Sequence, residues 1–446
     1  MRAIVIGAGV VGFHVARQLA EEACDVVMVD VCEESLKPAH ELLDVMTIVG
    51  NGAAPQVLEE AGVRDADLVV AVTERDEVNI LACLTAKHIG QPTTVARVRN
   101  PEYTDQGRAL VHNQLGIDLI INPELLAATY IARLLRVPTA IEVGYFAGGK
   151  VQMIGLRCTS PLVTGKALKD LDLGNSLIVA LARGEEILIP DGDSRIEQGD
   201  LVYVIGKTGN FERSILFAGR EHSNLRTITI VGGGETGYEV ARALSDGRRH
   251  GISLKVIEKH PARAQWLAER LPHALIIHGD GSGFDLLEAE HIQGSDALVA
   301  ATGQDETNML VAMVAKRLNV QETIIRLDRE EYAGISEAIG VHATIVPRLL
   351  TASTIMKLLR KGKIHDIAFV QQGRAEVLDA IVSSGSPLVG QALAGAGFPG
   401  GAIIAMLVRG ESAIIPQGAT KLQAGDRVVV FAVHGALPAV EKALGL

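Results

Sequence analysis

From residue 3 the chain runs through short apolar stretches rich in Val and Ile, each followed by a longer stretch whose apolar residues recur every three to four positions. The first kind predicts buried strands at about 3–6, 25–29, 46–49, 68–72, 93–98 and 118–121. The second predicts helices at about 11–21, 34–43, 54–61, 77–89 and 102–115. Regular β/α alternation of this kind builds a doubly wound parallel sheet of the Rossmann type. Beyond about residue 136 the pattern changes to short strands broken by Gly-Asp and Pro-Asp turns, with one short helix, which predicts a small α+β module.

The whole arrangement then repeats. "IVIGAGVVG" at 4–12 returns as "ITIVGGGETG" at 228–237, and "DADLVVAVTERDEVNILACLTAK" at 65–87 returns as "GSDALVAATGQDETNMLVAMVAK" at 294–316. "PLVTGKAL" at 161–168 and "IEQGDLV" at 196–202 answer "PLVGQAL" at 387–393 and "LQAGDRV" at 422–428. Two long copies are too few for a solenoid and read as a tandem pair of two-domain units. The junction is expected near 219–226, with Rossmann-type domains at 1–135 and 223–359 and α+β domains at 136–222 and 360–446.

Each copy opens on a strand, a G-x-G-x-x-G turn and a helix, with an acid about 20 residues on at the end of the next strand. The turns are Gly7-Ala8-Gly9-Val10-Val11-Gly12 and Gly232-Gly233-Gly234-Glu235-Thr236-Gly237, and the acids are Asp30 and Glu258. The first glycine lets the chain turn off the strand, the second admits a pyrophosphate to the backbone, and the third lets helix and sheet pack closely. Free N–H groups at the helix start then face the phosphates. A carboxylate at Asp30 or Glu258 accepts hydrogen bonds from ribose hydroxyls and repels a 2′-phosphate, so NAD(H) or an adenosine nucleotide is favoured over NADP(H).

Other residues at strand ends join the candidate set. Asn51 and Asp280 follow the third strand, where an adenine edge would lie, and each also fits an ordinary turn role. Thr73 and Thr302 end the fourth strand, with Glu74 next to the first and Asn79 and Asn308 opening the following helix; they fit either ligand contact or helix capping. Arg97 and Arg326 end the fifth strand, within reach of phosphates or of a structural ion pair. The basic stretches "RLLRVP" at 133–138 and "KLLRKGK" at 357–363 read as solvated helix ends.

Composition narrows the function. The 446 residues are 48% apolar and 3% aromatic, with a net charge of −11, which disfavours nucleic acid and anionic lipid as partners. No window of 18 consecutive apolar residues is present to span a membrane. With a strand expected from residue 3, no secretory signal is expected ahead of it, and the expected location is the cytoplasm. Cys24, Cys32, Cys83 and Cys158 show no C-x-x-C spacing and read as reduced, mostly buried thiols.

A nicotinamide-dependent oxidoreductase, the alternative reading, needs an acid or base beside the reacting carbon. No such group is shared by the two copies: His14 is replaced by Glu239, and Lys166 and Lys169 have Gln391 and Ala394 near the equivalent places. No cluster with metal-ligand spacing is seen, so catalytic and metal residues are both expected to be none.

With these motifs in place, the chain resembles the TrkA family of regulatory subunits of Trk potassium-uptake systems. The likeness rests on "VIGAGVVG" with Asp30, "VTERDEVNILACLTAK", "VARVRNPEY", the two "P-L-V…G-x-x-L" stretches and the paired "Q-G-D-x-V" at 198–202 and "Q-x-G-D-x-V" at 423–428, and it covers nearly the whole chain. The resemblance implies tandem RCK units, each a Rossmann domain plus an RCK C-terminal domain. It further implies a homotetramer on the inner face of the membrane, docked on a TrkH/TrkG-like potassium-conducting subunit, with NAD(H) and ATP/ADP as ligands of the residues named above. Asn51 departs from an aspartate common in this family. Gly303 and Gln304 in place of Glu74 and Arg75 point to different ligand preferences in the two sites.

Overall fold

The computed structural model describes all residues except 101, 104–115, 185, 212, 214–216, 218, 220–224, 246–250 and 360–363. Most of the helix expected at 102–115, part of the junction at 219–226 and the end of the basic stretch at 357–363 lie outside the described residues.

The expected alternation is realised twice. Strands Arg2–Ile6, Asp25–Asp30, Met46–Val49, Leu68–Ala71, Thr93–Arg97 and Leu119–Ile121 form one sheet in the order 3-2-1-4-5-6. Thr227–Val231, Ser253–Glu258, Ala274–His278, Ala297–Ala300, Glu322–Arg326 and Ala343–Ile345 form a second sheet in the same order. All pairings within these sheets are parallel. Leu68–Ala71 and Ala297–Ala300 are buried at every position, as strands covered by helices on both faces must be. In both sheets the order reverses between the first and fourth strands, and the crevice at their carboxyl ends is where such sheets bind ligands.

The α+β modules are five-stranded antiparallel sheets. The first orders its strands Glu186–Leu188, Ser176–Arg183, Leu201–Lys207, Val151–Arg157, Ala140–Phe146, and the second Ile364–Val370, Ala375–Ile381, Arg427–Val433, Ala402–Arg409, Ser412–Ile414. Apolar faces of the two sheets meet in one core holding Phe146, Met153 and Tyr203 from the first and Val377, Met406 and Phe431 from the second. The Tyr203 and Phe431 rings lie 5.9 Å apart, and burying such a side chain stabilises by about 1.5–3 kcal/mol.

The chain divides into two compact units, Met1–Ala128 with Val346–Leu359, and Thr129–Ile345 with the rest of the chain beyond Leu359. Helix Pro347–Leu359 therefore packs on helix Val10–Glu21 of the first sheet domain, burying Thr351, Ala352 and Ile355. By contacts, residues 346–359, expected in the second Rossmann domain, group with the first sheet domain. Periodicity shows that a helix has an apolar face but not which partner covers it.

Two of the cysteines also differ from expectation: Cys83 and Cys158 are buried, but Cys32 is exposed and Cys24 half-buried. Cys32 sits at the start of helix Glu33–Leu42, in a loop that follows the strand into solvent.

Candidate functional site

The first glycine turn is shaped by contacts that a side chain would destroy. Gly7 has φ +105°, and a Cβ there would lie 2.9 Å from the Thr73 nitrogen. A Cβ on Gly12 would collide with the Gly7 carbonyl oxygen, whereas one on Gly9 would meet nothing within 4 Å. Gly9 is thus glycine for space outside the fold. The Phe13 N–H donates to the Gly9 carbonyl at 2.9 Å, leaving the first-turn N–H groups ahead of it, from Val10 and Val11 onward, without intrahelical acceptors. Asp30 holds the turn from the side: Oδ2 accepts the Ala8 N–H at 2.6 Å and Oδ1 the Cys32 N–H at 2.8 Å. The carboxylate stays half-buried, with lone pairs left for a further donor.

The second turn has the same backbone, with Gly232 at φ +104° and open space beside Gly234. Glu258 accepts the Gly233 N–H at 2.8 Å and the His260 N–H at 2.7 Å, but is only 7% exposed. What differs is the charge around it. Glu235 stands at the first position of helix Glu235–Ser245, where Val10 stands in the first copy, and Thr236 follows it, buried. Arg263 donates through Nε to the Gly233 carbonyl at 2.7 Å and through a terminal nitrogen to Glu235 at 3.0 Å, and lies 4.0 Å from the Trp266 ring centroid. Sequence reading passed over Arg263. The available signal was a basic residue in the first turn of the helix after the acid, where the first copy has Ser35.

At the fourth strand the repeated polar pair is a brace. Asn79 is fully buried, donates to the carbonyls of Thr73 at 3.0 Å and Arg97 at 2.8 Å, and accepts the Thr73 N–H at 2.9 Å. Asn308 makes the same set with Thr302 and Arg326. These amides tie the ends of the fourth and fifth strands together and have no capacity left for a ligand. Glu74 is exposed beside the crevice, its carbonyl taken by Arg99 at 2.6 Å. Asn51 accepts the Ala53 N–H at 3.0 Å. Asp280 accepts from the Ser282 N–H at 3.0 Å and hydroxyl at 2.7 Å, which, Ser282 hydroxyl first, hold its carboxyl below the ordinary range. Both residues shape turns.

The fifth strands differ most. Arg326 pairs with Asp328 at 2.9 Å, while the residue in the position of Asp328 in the first copy is Arg99. Arg97 has no ion-pair partner among the described residues; its Nε, like that of Arg326, is buried without a hydrogen-bond acceptor. Burial, then the neighbouring Arg99, pushes its guanidinium below the ordinary value, a cost that Glu124 partly offsets. A half-buried cation in this state at the carboxyl end of the sheet has the chemistry to take an anion.

The TrkA-N domain model matches residues 3–123 and 228–347, and the TrkA-C domain model matches 159–215 and 377–445. The chain is 39% identical to the Trk system potassium uptake protein TrkA homolog 1 of Methanosarcina mazei, over 99% of both chains. The chain belongs to the TrkA family. It is also 32% identical to TrkA of Azorhizobium caulinodans, over 99% of this chain and 98% of that one. These relatives are named for potassium uptake and not for an enzymatic activity. Among solved structures, the GsuK channel bound to NAD shares the fold at 16% identity, with a TM-score of 0.62, covering 100% of this chain and 79% of that one. GsuK bound to ADP matches at 15% identity and a TM-score of 0.51, over 80% and 69%. Among the described residues of this TrkA family member, no helix is long and apolar enough to cross a membrane.

Proposed function

We propose that the chain is a cytoplasmic, nucleotide-sensing regulatory subunit that gates a TrkH/TrkG-like potassium-conducting membrane protein, binding NAD(H) and ATP or ADP at its glycine turns. The observation that carries this reading is Arg97, half-buried and without an ion-pair partner among the described residues, at the carboxyl end of the same sheet whose first turn leaves an open helix start held by Asp30. The first turn is the stronger phosphate site. In the second, Glu235 occupies the helix start that an anion would use and Asp328 neutralises Arg326. The NAD and ADP complexes of GsuK, which shares the fold, support the ligand class.

Binding at the first turn has a route outward. Phosphates held at the start of Val10–Glu21 bear on the helix that packs against Pro347–Leu359, and the chain leads from there into the second small domain. A ligand shifts the conducting state only through different affinities for two arrangements of these helices. Self-assembly, proposed as a homotetramer, would cover Leu81 and its counterpart Leu310, both exposed at matching positions of the two repeats, and Met313 near the latter; these side chains bear on association and not on the number of copies.

The experiment is calorimetric titration of the full chain with NADH, NAD⁺, ATP and ADP beside Asp30→Ala and Glu258→Ala, followed by potassium flux in proteoliposomes with the membrane subunit. Saturable binding without NADH consumption, lost in Asp30→Ala, is expected. Turnover of NADH, or flux indifferent to nucleotide, would sink the reading and return the oxidoreductase alternative.

A further inference from the structure

A second cavity lies far from both glycine turns in the sequence, inside the second compact unit. It has a volume of about 370 Å³ and is walled by Thr139, Ile141 and Arg157 of the first small domain and by Glu337, Val341 and His342 of the second Rossmann domain. Sites for small ligands run from roughly 300 to 1,000 Å³. The wall is held in an unusual state. Thr139, a β-branched residue, has φ +71°, a conformation that persists only when its surroundings impose it. Its N–H donates to Glu322 at 2.7 Å, and its hydroxyl is buried without a hydrogen-bond partner. The His342 ring bridges to the Ala140 carbonyl at 3.1 Å, joining the two walls.

One positive and one negative side chain face this space, Arg157 and Glu337, paired at 2.6 Å and both well exposed. An exposed pair adds little to stability, so opening it is cheap. A ligand with a single charge would satisfy one partner and strand the other. A ligand with a carboxylate and an ammonium on one carbon exchanges one ion pair for two and leaves neither stranded. Ile141 and Val341 offer the remaining wall to an aliphatic group. We infer that this cavity is an effector site for a zwitterionic α-amino acid with an aliphatic side chain, the carboxylate taken by Arg157 and the ammonium by Glu337. Occupation would replace the Arg157–Glu337 pair, one of the links between the first small domain and the second Rossmann domain, by a bridged contact.

The test is calorimetry on the full chain with L-leucine, L-leucinamide, which lacks the carboxylate, and 4-methylpentanoate, which lacks the ammonium. Saturable binding of leucine is expected, at least tenfold tighter than either analogue. E337Q is expected to weaken leucine at least tenfold and to improve 4-methylpentanoate, whose carboxylate then strands no partner on Arg157, and R157Q to weaken leucine likewise while improving leucinamide. Thermal melting of each variant is read in parallel; should R157Q melt early, E337Q and the two analogues still decide. No saturable heat with leucine, analogues that bind equally well, or a folded E337Q that binds leucine unchanged would overturn the assignment. NADH and ATP titrations of the same samples report the glycine turns separately, so failure here leaves the nucleotide reading standing.

Discussion

The two glycine turns share one backbone and differ in where charge is left over. In the first, Arg97 ends its strand without a carboxylate paired to it among the described residues, and Val10 opens the helix. In the second, Asp328 pairs with Arg326, Arg263 with Glu235, and Glu258 is sunk into the protein. The small domains show the same asymmetry. Asp379 of the second accepts both arms of Arg427 at 2.6 and 2.7 Å, and also takes the Ala147 N–H of the first at 2.6 Å. Glu142 of the first has no cation beside it among the described residues. Burial pushes its carboxyl up to about 7 against hydrogen bonds from Tyr203 and the Gln371 N–H. The two repeats share their shape, and the second pairs charges that the first leaves available.

Four measurements press on this contrast. The largest effect is expected from Gly9→Val. Gly9 has φ −67° and open space around its missing side chain, so the fold is retained while the pyrophosphate position is filled. NADH and ATP affinity should fall roughly 100-fold or more by calorimetry, while Gly234→Val leaves the high-affinity isotherm within about threefold. Next, Arg97→Gln should cost ATP about 10–100-fold, the value of a charge-assisted contact, and Arg326→Gln only a few-fold because its charge is already neutralised. Equal losses would erase the distinction between the sites. In the converse direction, Glu235→Val combined with Asp328→Arg should strengthen ATP binding at the second turn by roughly 3–10-fold, seen as a second saturable step.

The smallest effect is on stability against pH. A carboxyl raised from 4.5 to about 7 on folding binds more protons in the native state, so the contribution of Glu142 to stability is greatest at or below pH 4.5 and declines as pH rises toward 7. Thermal melts of Glu142→Gln against the parent should show that decline flattened, whereas Asp366→Asn, at the matching position near Arg427, should leave it in place.

Much of this was legible before any coordinates. Strand-length apolar runs and the glycine spacing predicted both parallel sheets, because buried strands and tight βα turns leave few alternatives in residue type. The crevice residues were legible only as positions. Asp76 and Asn79 recur as Asp305 and Asn308, as a ligand site would, yet Asp76 accepts the N–H groups of Arg99 and Asn100 and Asn79 braces two strand ends. Repetition marks whatever the fold cannot lose, whether strut or site. Arg97 and Arg326 read alike in sequence because the difference lies two residues on, in Arg99 against Asp328, and only geometry shows which of those side chains folds back. Thr139 gave no signal at all, since a threonine in left-handed backbone looks like any other threonine.

The exchange of Pro347–Leu359 onto the first sheet domain makes the two repeats an interlock. A cut in the backbone near residue 222 would not yield two self-sufficient halves: the front half would lack the helix that covers Val10–Glu21, and the back half would carry that helix with nothing beneath it. Supplied together, the fragments have reason to find each other; supplied singly, each presents an apolar wound. Neither repeat can be deleted, shuffled or replaced without its twin.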